Sequence, residues 1–300
     1  MEGYLSIKES VEKYIKGCKA KIEMPVKQLL GKAILAGVMI GLGAAASSVV
    51  AHTISDVGLA RLVAAIVFPV GLMMVMLLGA ELFTGDCLVA MSAMDGKQKM
   101  RKVTNLLFIV YLGNFAGATL LALFVGMSGQ LNYSNGMLGA YTIKVALAKV
   151  NISFSQGIVS GLLCNILVCA AVLMAMCAKD ITGKLLSIFF TIMLFVTAGF
   201  EHCVANMYYI TAGIIAKCNP DYVKLVVASY GYTTEQLEVL NLTNYLVTNL
   251  IPVTVGNIIG GIVFFGAPMF FLNIKQEKIV LKEEKEHDVL RTTVYTNTAR

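Results

Sequence analysis

Apolar residues occur in long blocks along the chain, and six of these blocks are long enough to cross a bilayer. A membrane-spanning helix needs about 20 apolar residues, and lipid offers no water to backbone groups, so a helix must satisfy them internally. The short alternating segments that a transmembrane barrel requires do not occur in the sequence. The pattern predicts an all-α membrane protein with spans at residues 29–50, 62–94, 104–127, 153–178, 185–215 and 249–274.

Two of the predicted spans are interrupted near their middle by polar residues. Glu81 interrupts the second span, and the pair Glu201-His202 interrupts the fifth. Ionisable residues at membrane depth are costly and usually mark an ion or substrate path. Each glutamate follows a glycine by two residues, and the two lie 120 positions apart. Two broken helices in corresponding places are typical of a transport site near the bilayer midplane.

The two breaks belong to an internal repeat. The first and fourth spans carry a Gly-x-x-x-Gly pattern that begins at Gly37 and Gly157, again 120 positions apart. The third and sixth spans carry Gly-Asn-x-x-Gly, with the asparagine at Asn114 and Asn257, and we predict both asparagines to be contacts between helices. Each half thus has three spans in the same order. Because three is odd, we predict two repeats of inverted orientation.

The segments outside the repeats are predicted to be peripheral. Residues 1–28 contain six lysines opposite an apolar face, which predicts an amphipathic helix along the inner membrane surface; a movable plug beneath a pore is the alternative. The transmembrane domain is expected at 29–274, with repeats at 29–127 and 153–274. The tail 275–300 alternates Lys and Glu, which predicts a solvated helical extension.

The composition confirms the membrane class of the chain, and the distribution of charge predicts its orientation in the bilayer. With 57 % hydrophobic and 14 % charged residues and a mean hydropathy of +0.76, the chain is not a soluble domain. If both termini are inside, 19 of the 24 Lys and Arg lie in inner segments, as the positive-inside rule demands. We therefore expect a multi-pass protein of the cell membrane with both termini cytoplasmic, inserted without a secretory signal. The net charge of +6 then reports topology and not a nucleic-acid partner.

The connecting segments and the cysteines carry no predicted chemistry. The outer loops 128–152 and 216–248 are expected to form short helices and turns. The seven cysteines include no Cys-x-x-Cys pair and no Cys/His cluster with metal-ligand spacing. We therefore expect no metal and no cofactor.

The residues at the breaks predict a narrow apolar path with one hydroxyl, from Thr84, and one imidazole, from His202. Broken helices leave N–H groups unpaired, and helix N-termini favour anions. A cation path would instead need rings of carboxylates or carbonyls. The sequence therefore predicts passage of small monovalent anions of weak acids, either passive or coupled to a proton from His202. Glu81 and Glu201 are predicted to hold the breaks in shape, and Asn165 is the best candidate to contact His202.

Two other classes of function remain open at this point. A neutral-solute channel would use the same architecture but carry no current. A membrane enzyme would use Glu201 and His202 as acid and base, but its pocket would need further polar groups. The apolar flanks of the two breaks supply few of them, so we do not expect an enzyme.

Three segments carry a resemblance to a known family: residues 69–85, with Gly-Ala-Glu-Leu-Phe-Thr-Gly; residues 199–207, Gly-Phe-Glu-His-Cys-Val-Ala-Asn-Met; and residues 249–261. They closely resemble the formate–nitrite transporter family over essentially residues 25–275. The resemblance implies an aquaporin-like protomer of six helices, two of them broken, in a homopentamer with one pore per protomer. Members move formate, nitrite or hydrosulfide, and overall similarity is greatest to the hydrosulfide channel branch. The resemblance therefore implies hydrosulfide as the first candidate for the permeant ion, with formate or nitrite as the alternatives.

The resemblance also implies roles for individual residues. Thr84 and His202 would form the polar pair at the pore centre. The apolar constrictions would be formed by Leu72, Leu82 and Ala205 on the inner side and by Phe68 and Phe195 on the outer side. Lys149 would be an outer lysine that attracts anions, with Asn165 and Glu201 as polar neighbours. The sequence departs from formate channels at Gly85-Asp86-Cys87, where those channels tend to have small hydroxyl residues.

Overall fold

A computed structural model describes residues 3–275, so the predicted tail beyond Lys275 lies outside the described residues. Within that range six helices are long and apolar enough to cross a membrane, and they confirm the six predicted spans. These helices are Val26–Ala51, Val57–Leu78, Met100–Met127, Phe154–Cys177, Ile181–Ala198 and Leu242–Lys275. The described chain is a multi-pass helical bundle.

The elements of the first half, in chain order, are α1 (Ile7–Ile22), α2 (Val26–Ala51), α3 (Val57–Val67), α4 (Val70–Leu78), α5 (Phe83–Asp86), a 3₁₀ turn (Cys87–Val89), α6 (Ala90–Met94) and α7 (Met100–Met127). A 3₁₀ turn (Gln130–Asn132) and α8 (Met137–Val150) form the first long connection. The break in the second span is the segment between α4 and α5.

The second half consists of α9 (Phe154–Cys177), α10 (Ile181–Ala198), α11 (Cys203–Lys217), α12 (Pro220–Tyr230), α13 (Thr234–Glu238), α14 (Leu242–Asn244), α15 (Ile251–Ile258) and α16 (Ala267–Phe270). In the last span, π-helical segments at Tyr245–Leu250 and Ile259–Gly266 join α14, α15 and α16, and a third at Phe271–Lys275 follows α16. Both long connections contain short helices and turns, as predicted. The second break separates α10 from α11.

Helix α1 begins with a capping box, in which Ser6 and Glu9 each bond the other's backbone N–H group. Its apolar side, which includes Val11, Tyr14 and Ile15, is buried. The segment before it is tied to the end of α9, because Leu5 N–H donates to the Cys177 carbonyl at 2.7 Å. Helix α1 therefore packs beneath one end of the bundle, which we call the α1 face.

The first and third spans of each repeat pack in close contact through glycines. A Cβ on Gly117 would collide with the Ile34 carbonyl, and a Cβ on Gly260 would collide with the Leu162 carbonyl. Small residues let membrane helices approach this closely. The two carbonyls are equivalent in the two repeats and lie 128 positions apart. The sequence pattern aligned the first and fourth spans with an offset of 120 positions, so that alignment was wrong by about two helical turns. Gly-x-x-x-Gly recurs along apolar helices and therefore does not fix the offset between two repeats.

The close contact at Gly117 gives a test of the packing. Gly117→Ala should lower the thermal stability of the detergent-solubilised protein by about 1–3 kcal/mol, because the added methyl forces α2 and α7 apart. The matched control is Gly17→Ala on α1, where an added Cβ meets nothing within 4 Å. Size-exclusion chromatography after graded heating measures both variants. Equal melting temperatures for the two would contradict the packing described for α2 and α7.

Candidate functional site

Both breaks have the same backbone geometry. Helix α4 ends at Gly79 with φ +69°, and α10 ends at Gly199 with φ +74°. This left-handed conformation is one that glycine adopts without strain, and it commonly ends a helix. In each break the residue after the glycine donates its N–H group to the carbonyl five residues earlier, at 3.0 and 3.2 Å. The glycine that precedes each glutamate therefore ends the first half-helix.

Asn114 of α7 holds the first break. Its Oδ1 accepts the Phe83 N–H at 2.9 Å, and its Nδ2 donates to the Glu81 carbonyl at 3.0 Å and the Ala33 carbonyl at 2.8 Å. One buried amide thus satisfies backbone groups on both sides of the break and ties the break to α2. An unpaired buried backbone group would cost about 1–3 kcal/mol.

Asn257 of α15 repeats this arrangement at the second break. Its Oδ1 accepts the Cys203 N–H at 2.9 Å, and its Nδ2 donates to the Glu201 carbonyl at 3.1 Å and the Gly161 carbonyl at 2.7 Å. The sequence predicted both asparagines to be contacts between helices. The structure adds that they pair the backbone of the breaks.

Thr84 and His202 meet between the two breaks. Thr84 Oγ1 lies 2.9 Å from His202 Nε2, and both residues are buried. His202 also caps α11, because its Nδ1 accepts the Ala205 N–H at 3.1 Å. A neutral imidazole has one N–H, so this bond assigns the proton to Nε2, which then donates to Thr84 Oγ1. The hydroxyl proton of Thr84 is left to donate to a third group.

Apolar residues flank this pair on both sides. Phe68 and Phe195 meet edge to face with ring centroids 5.6 Å apart, and Phe195 stacks on the His202 ring at 6.0 Å. Leu72 and Leu82 lie together on the α1 side, where both line one cavity. Ala205 was expected beside those two leucines, but it lines the opposite cavity together with Phe68 and Phe195. It follows His202 on the first turn of α11, which explains this position.

A cavity of about 280 Å³ opens on the α1 side of the pair. Its ionisable lining residues, apart from Tyr14 and Cys18, are Lys13, Lys21, Lys32, Glu81 and Asp86. Lys21 Nζ lies 2.6 Å from a carboxylate oxygen of Glu81 and 2.6 Å from one of Asp86. Burial alone lowers the pKa of Lys21, but the two carboxylates outweigh burial and raise it above its ordinary value. Lys21 therefore ties α1 to the first break as a cation.

A second cavity, of about 500 Å³, opens on the opposite side. Its ionisable lining residues, apart from tyrosines and His202, are Arg61, Lys144, Lys149 and Glu201. Lys149 Nζ lies 3.1 Å from both carboxylate oxygens of Glu201, and Asn206 Nδ2 donates to the same carboxylate at 2.6 Å. Each break thus has its glutamate paired with a lysine from a helix outside the six spans.

Asn165 does not make the contact predicted for it. Its Nδ2 donates to the Asn257 carbonyl at 2.7 Å, whereas the described bonds of the His202 ring go to Thr84 and Ala205. Asn165 therefore supports the Asn257 clamp from α9. Sequence reasoning missed the role of Lys21, although the two carboxylates near the first break were a signal that a buried cation was needed.

Six spans, two buried breaks and a cavity on each side of them define a membrane channel or transporter. Comparison with known proteins gives the family. The model of the formate/nitrite transporter family matches residues 8–271, and the chain belongs to that family. The family resemblance seen in the sequence is thereby confirmed, and the alternative of a membrane enzyme is excluded.

Several named proteins are similar to this chain in sequence or in structure. The formate channel FocA of Haemophilus influenzae is 38 % identical over 211 residues, which cover 70 % of this chain and 73 % of that protein. A solved pentameric formate channel with formate bound is 33 % identical, with a TM-score of 0.74 over 84 % of this chain and 98 % of that one. A solved FNT family ion channel is 25 % identical, with a TM-score of 0.71 over 89 % and 98 %. Two of these three are named for formate and none for hydrosulfide.

The asparagine clamp gives a test of the site. Asn114→Ala should destabilise the protein by about 1–3 kcal/mol for each backbone group left unpaired, and it should abolish solute flux because the first break loses its shape. Asn105→Ala is the control, since Asn105 lies on the same helix and is exposed. Thermal stability and proteoliposome flux are measured on both. Normal flux through Asn114→Ala would show that the clamp does not position the path.

Proposed function

We propose that this protein is a pore for small monovalent anions of weak acids. The observation that carries the proposal is the charge of the two cavities. The α1-side cavity is lined by three lysines and two carboxylates, and the opposite cavity by three cations and one carboxylate. Both cavities therefore attract anions toward a centre that provides hydrogen-bond donors and no carboxylate.

The central pair supports anion passage without a proton transfer. His202 Nδ1 is occupied as an acceptor, and His202 Nε2–H fixes the Thr84 oxygen, so the Thr84 proton is available to an anion. A second proton on Nδ1 would face the Ala205 N–H group. A hydrogen bond to a charged group contributes about 1.5–3 kcal/mol, which offsets part of the cost of stripping water from a small anion. Helix α11 adds its positive end at the same place.

Formate is our first candidate for the permeant ion, because a relative at 38 % identity and a solved channel are named for it. Hydrosulfide is the second candidate. It is the weakest acid of the three that the family moves, and it has one heavy atom to pass the aromatic contact at Phe68 and Phe195. Nitrite is chemically similar to formate in size and charge.

The proposed assembly is a homopentamer with one path in each protomer, because the solved formate channel similar to this chain is a pentamer. We also propose that the α1 face is cytoplasmic, since the lysine- and arginine-rich segments lie on that side. Residues 1–28 and 275–300 would then both be cytoplasmic.

Reconstituted protein in liposomes tests the permeant class. We expect formate, nitrite and hydrosulfide to equilibrate at rates far above empty liposomes, with chloride-free buffers and equal pH on both sides. Glycerol is the neutral comparison, and it should cross no faster than in empty liposomes. Fast glycerol entry with no anion flux would indicate the neutral-solute channel instead.

Variants at the central pair test the mechanism. Thr84→Val removes the hydroxyl with little change in volume and should lower formate flux about tenfold to a hundredfold. Thr84→Ser keeps the hydroxyl and should retain flux within a few-fold. His202→Gln keeps an N–H group near the Nε2 position but has no nitrogen that takes up a proton.

His202→Gln should therefore conduct, with the pH dependence of the unmodified protein. If His202→Gln and Thr84→Ser both assemble, and only His202→Gln loses its flux or its pH dependence, then His202 transfers a proton. That result would replace the hydrogen-bond mechanism with a proton-coupled one.

A further inference from the structure

A groove on the α1 face lies outside the path and has no role in the proposed transport. It has a volume of about 980 Å³ and lies between the end of α1, the start of α2 and the first turns of α7. Its apolar wall includes Val26, Leu29, Phe108 and Ile109. The groove belongs to neither of the two cavities beside the breaks.

Three cations form one side of this groove: Lys99, Arg101 and Lys102. No carboxylate lines the groove within residues 3–275. None of the three side chains has an ion pair or hydrogen bond to another described residue. Among the described residues nothing offsets these three charges, so they create a local positive potential that favours an anionic occupant.

The groove also lies where the spans enter the bilayer. Helix α2 begins at Val26 and α7 begins at Met100, and both helices are transmembrane. Val26 is 58 % exposed, Met100 is 50 % exposed and Phe108 is 62 % exposed. The apolar wall is therefore continuous with exposed apolar surface of the spans, and the three cations lie at the end where those spans begin.

We propose that this groove binds an anionic phospholipid. The phosphate contacts Lys99, Arg101 and Lys102, and an acyl chain lies along the exposed side chains of Phe108 and Val26. A free phosphate ion would make no contact with the apolar wall. A zwitterionic lipid has no net charge and would not neutralise the three cations. Basic pockets at the ends of membrane helices recognise anionic headgroups in this way. The proposal does not depend on which anion the path conducts.

Native mass spectrometry on the full-length protein in detergent tests this proposal, with phosphatidylglycerol and phosphatidylcholine as probes. The unmodified protein should retain phosphatidylglycerol in preference to phosphatidylcholine. The variant K99Q/R101Q/K102Q should bind phosphatidylglycerol about a hundredfold more weakly, at roughly 1 kcal/mol for each charge. The control K16Q/K19Q/K224Q removes the same charge from exposed positions elsewhere and should bind phosphatidylglycerol as the unmodified protein does.

Separate measurements address the apolar wall and the other occupants. Phe108→Ser should weaken phosphatidylglycerol binding while all three cations are kept. Inorganic phosphate at millimolar concentration should not displace the lipid. If the triple variant fails to assemble, the single variant Arg101→Gln replaces it, and we expect it to bind phosphatidylglycerol about fivefold more weakly than the unmodified protein.

Three results would overturn the proposal. The first is phosphatidylglycerol binding by the triple variant, or by Arg101→Gln in its place, equal to that of the unmodified protein. The second is displacement of the lipid by free phosphate. The third is dissociation of the oligomer by Phe108→Ser with no effect on lipid binding, which would assign the groove to a contact between copies of the chain.

Discussion

Two helices are interrupted in the interior of this bundle, and the backbone groups exposed there need partners that lipid cannot supply. Asn114 and Asn257 supply them with the same three bonds each: one accepted from the half-helix that follows, one donated to the carbonyl of the preceding glutamate, and one donated to the first span of the repeat. The position of the path, its polar pair and its flanking cavities all depend on these bonds.

The two breaks have the same backbone conformation but carry different side chains. Leu82 and His202 occupy equivalent positions with nearly the same conformation, at φ −114° and ψ 122° for Leu82 and φ −113° and ψ 115° for His202. One half of the path therefore presents a methyl group where the other presents an imidazole. The paired lysines also differ, because Lys21 comes from α1 and Lys149 from α8. A symmetric scaffold thus holds an asymmetric path.

Hydrophobic block length and glycine position predicted much of the fold from the sequence. The six spans and both breaks are where the sequence placed them, because about 20 apolar residues have few alternatives in a bilayer and Gly79 and Gly199 end helices in a left-handed conformation. The offset between equivalent residues of α2 and α9 was not predictable, because glycines recur along each helix. Three pairs of residues that make equivalent contacts in the two repeats fix this offset at 128 positions: Ala33 and Gly161, Ile34 and Leu162, and Lys32 and Ser160.

The location of the site could be predicted from the sequence, but the contacts between its residues could not. Ala205 and Asn165 lie on helix faces whose orientation depends on packing, so their neighbours could not be read from spacing. The pairing of Lys21 could not be predicted from spacing, because nothing local to α1 connects it to carboxylates 60 and 65 positions away. Interactions of this range depend on how α1 docks, and docking is a property of the whole bundle.

The protonation of His202 tests the account most directly. Nitrogen-15 NMR of the histidine-labelled protein in lipid, with His202→Gln to assign the signal, distinguishes the two ring nitrogens. We predict, at neutral pH, an unprotonated Nδ1 that accepts from the Ala205 N–H group and a protonated Nε2 that donates to Thr84 Oγ1. A proton on Nδ1, alone or together with one on Nε2, would contradict it.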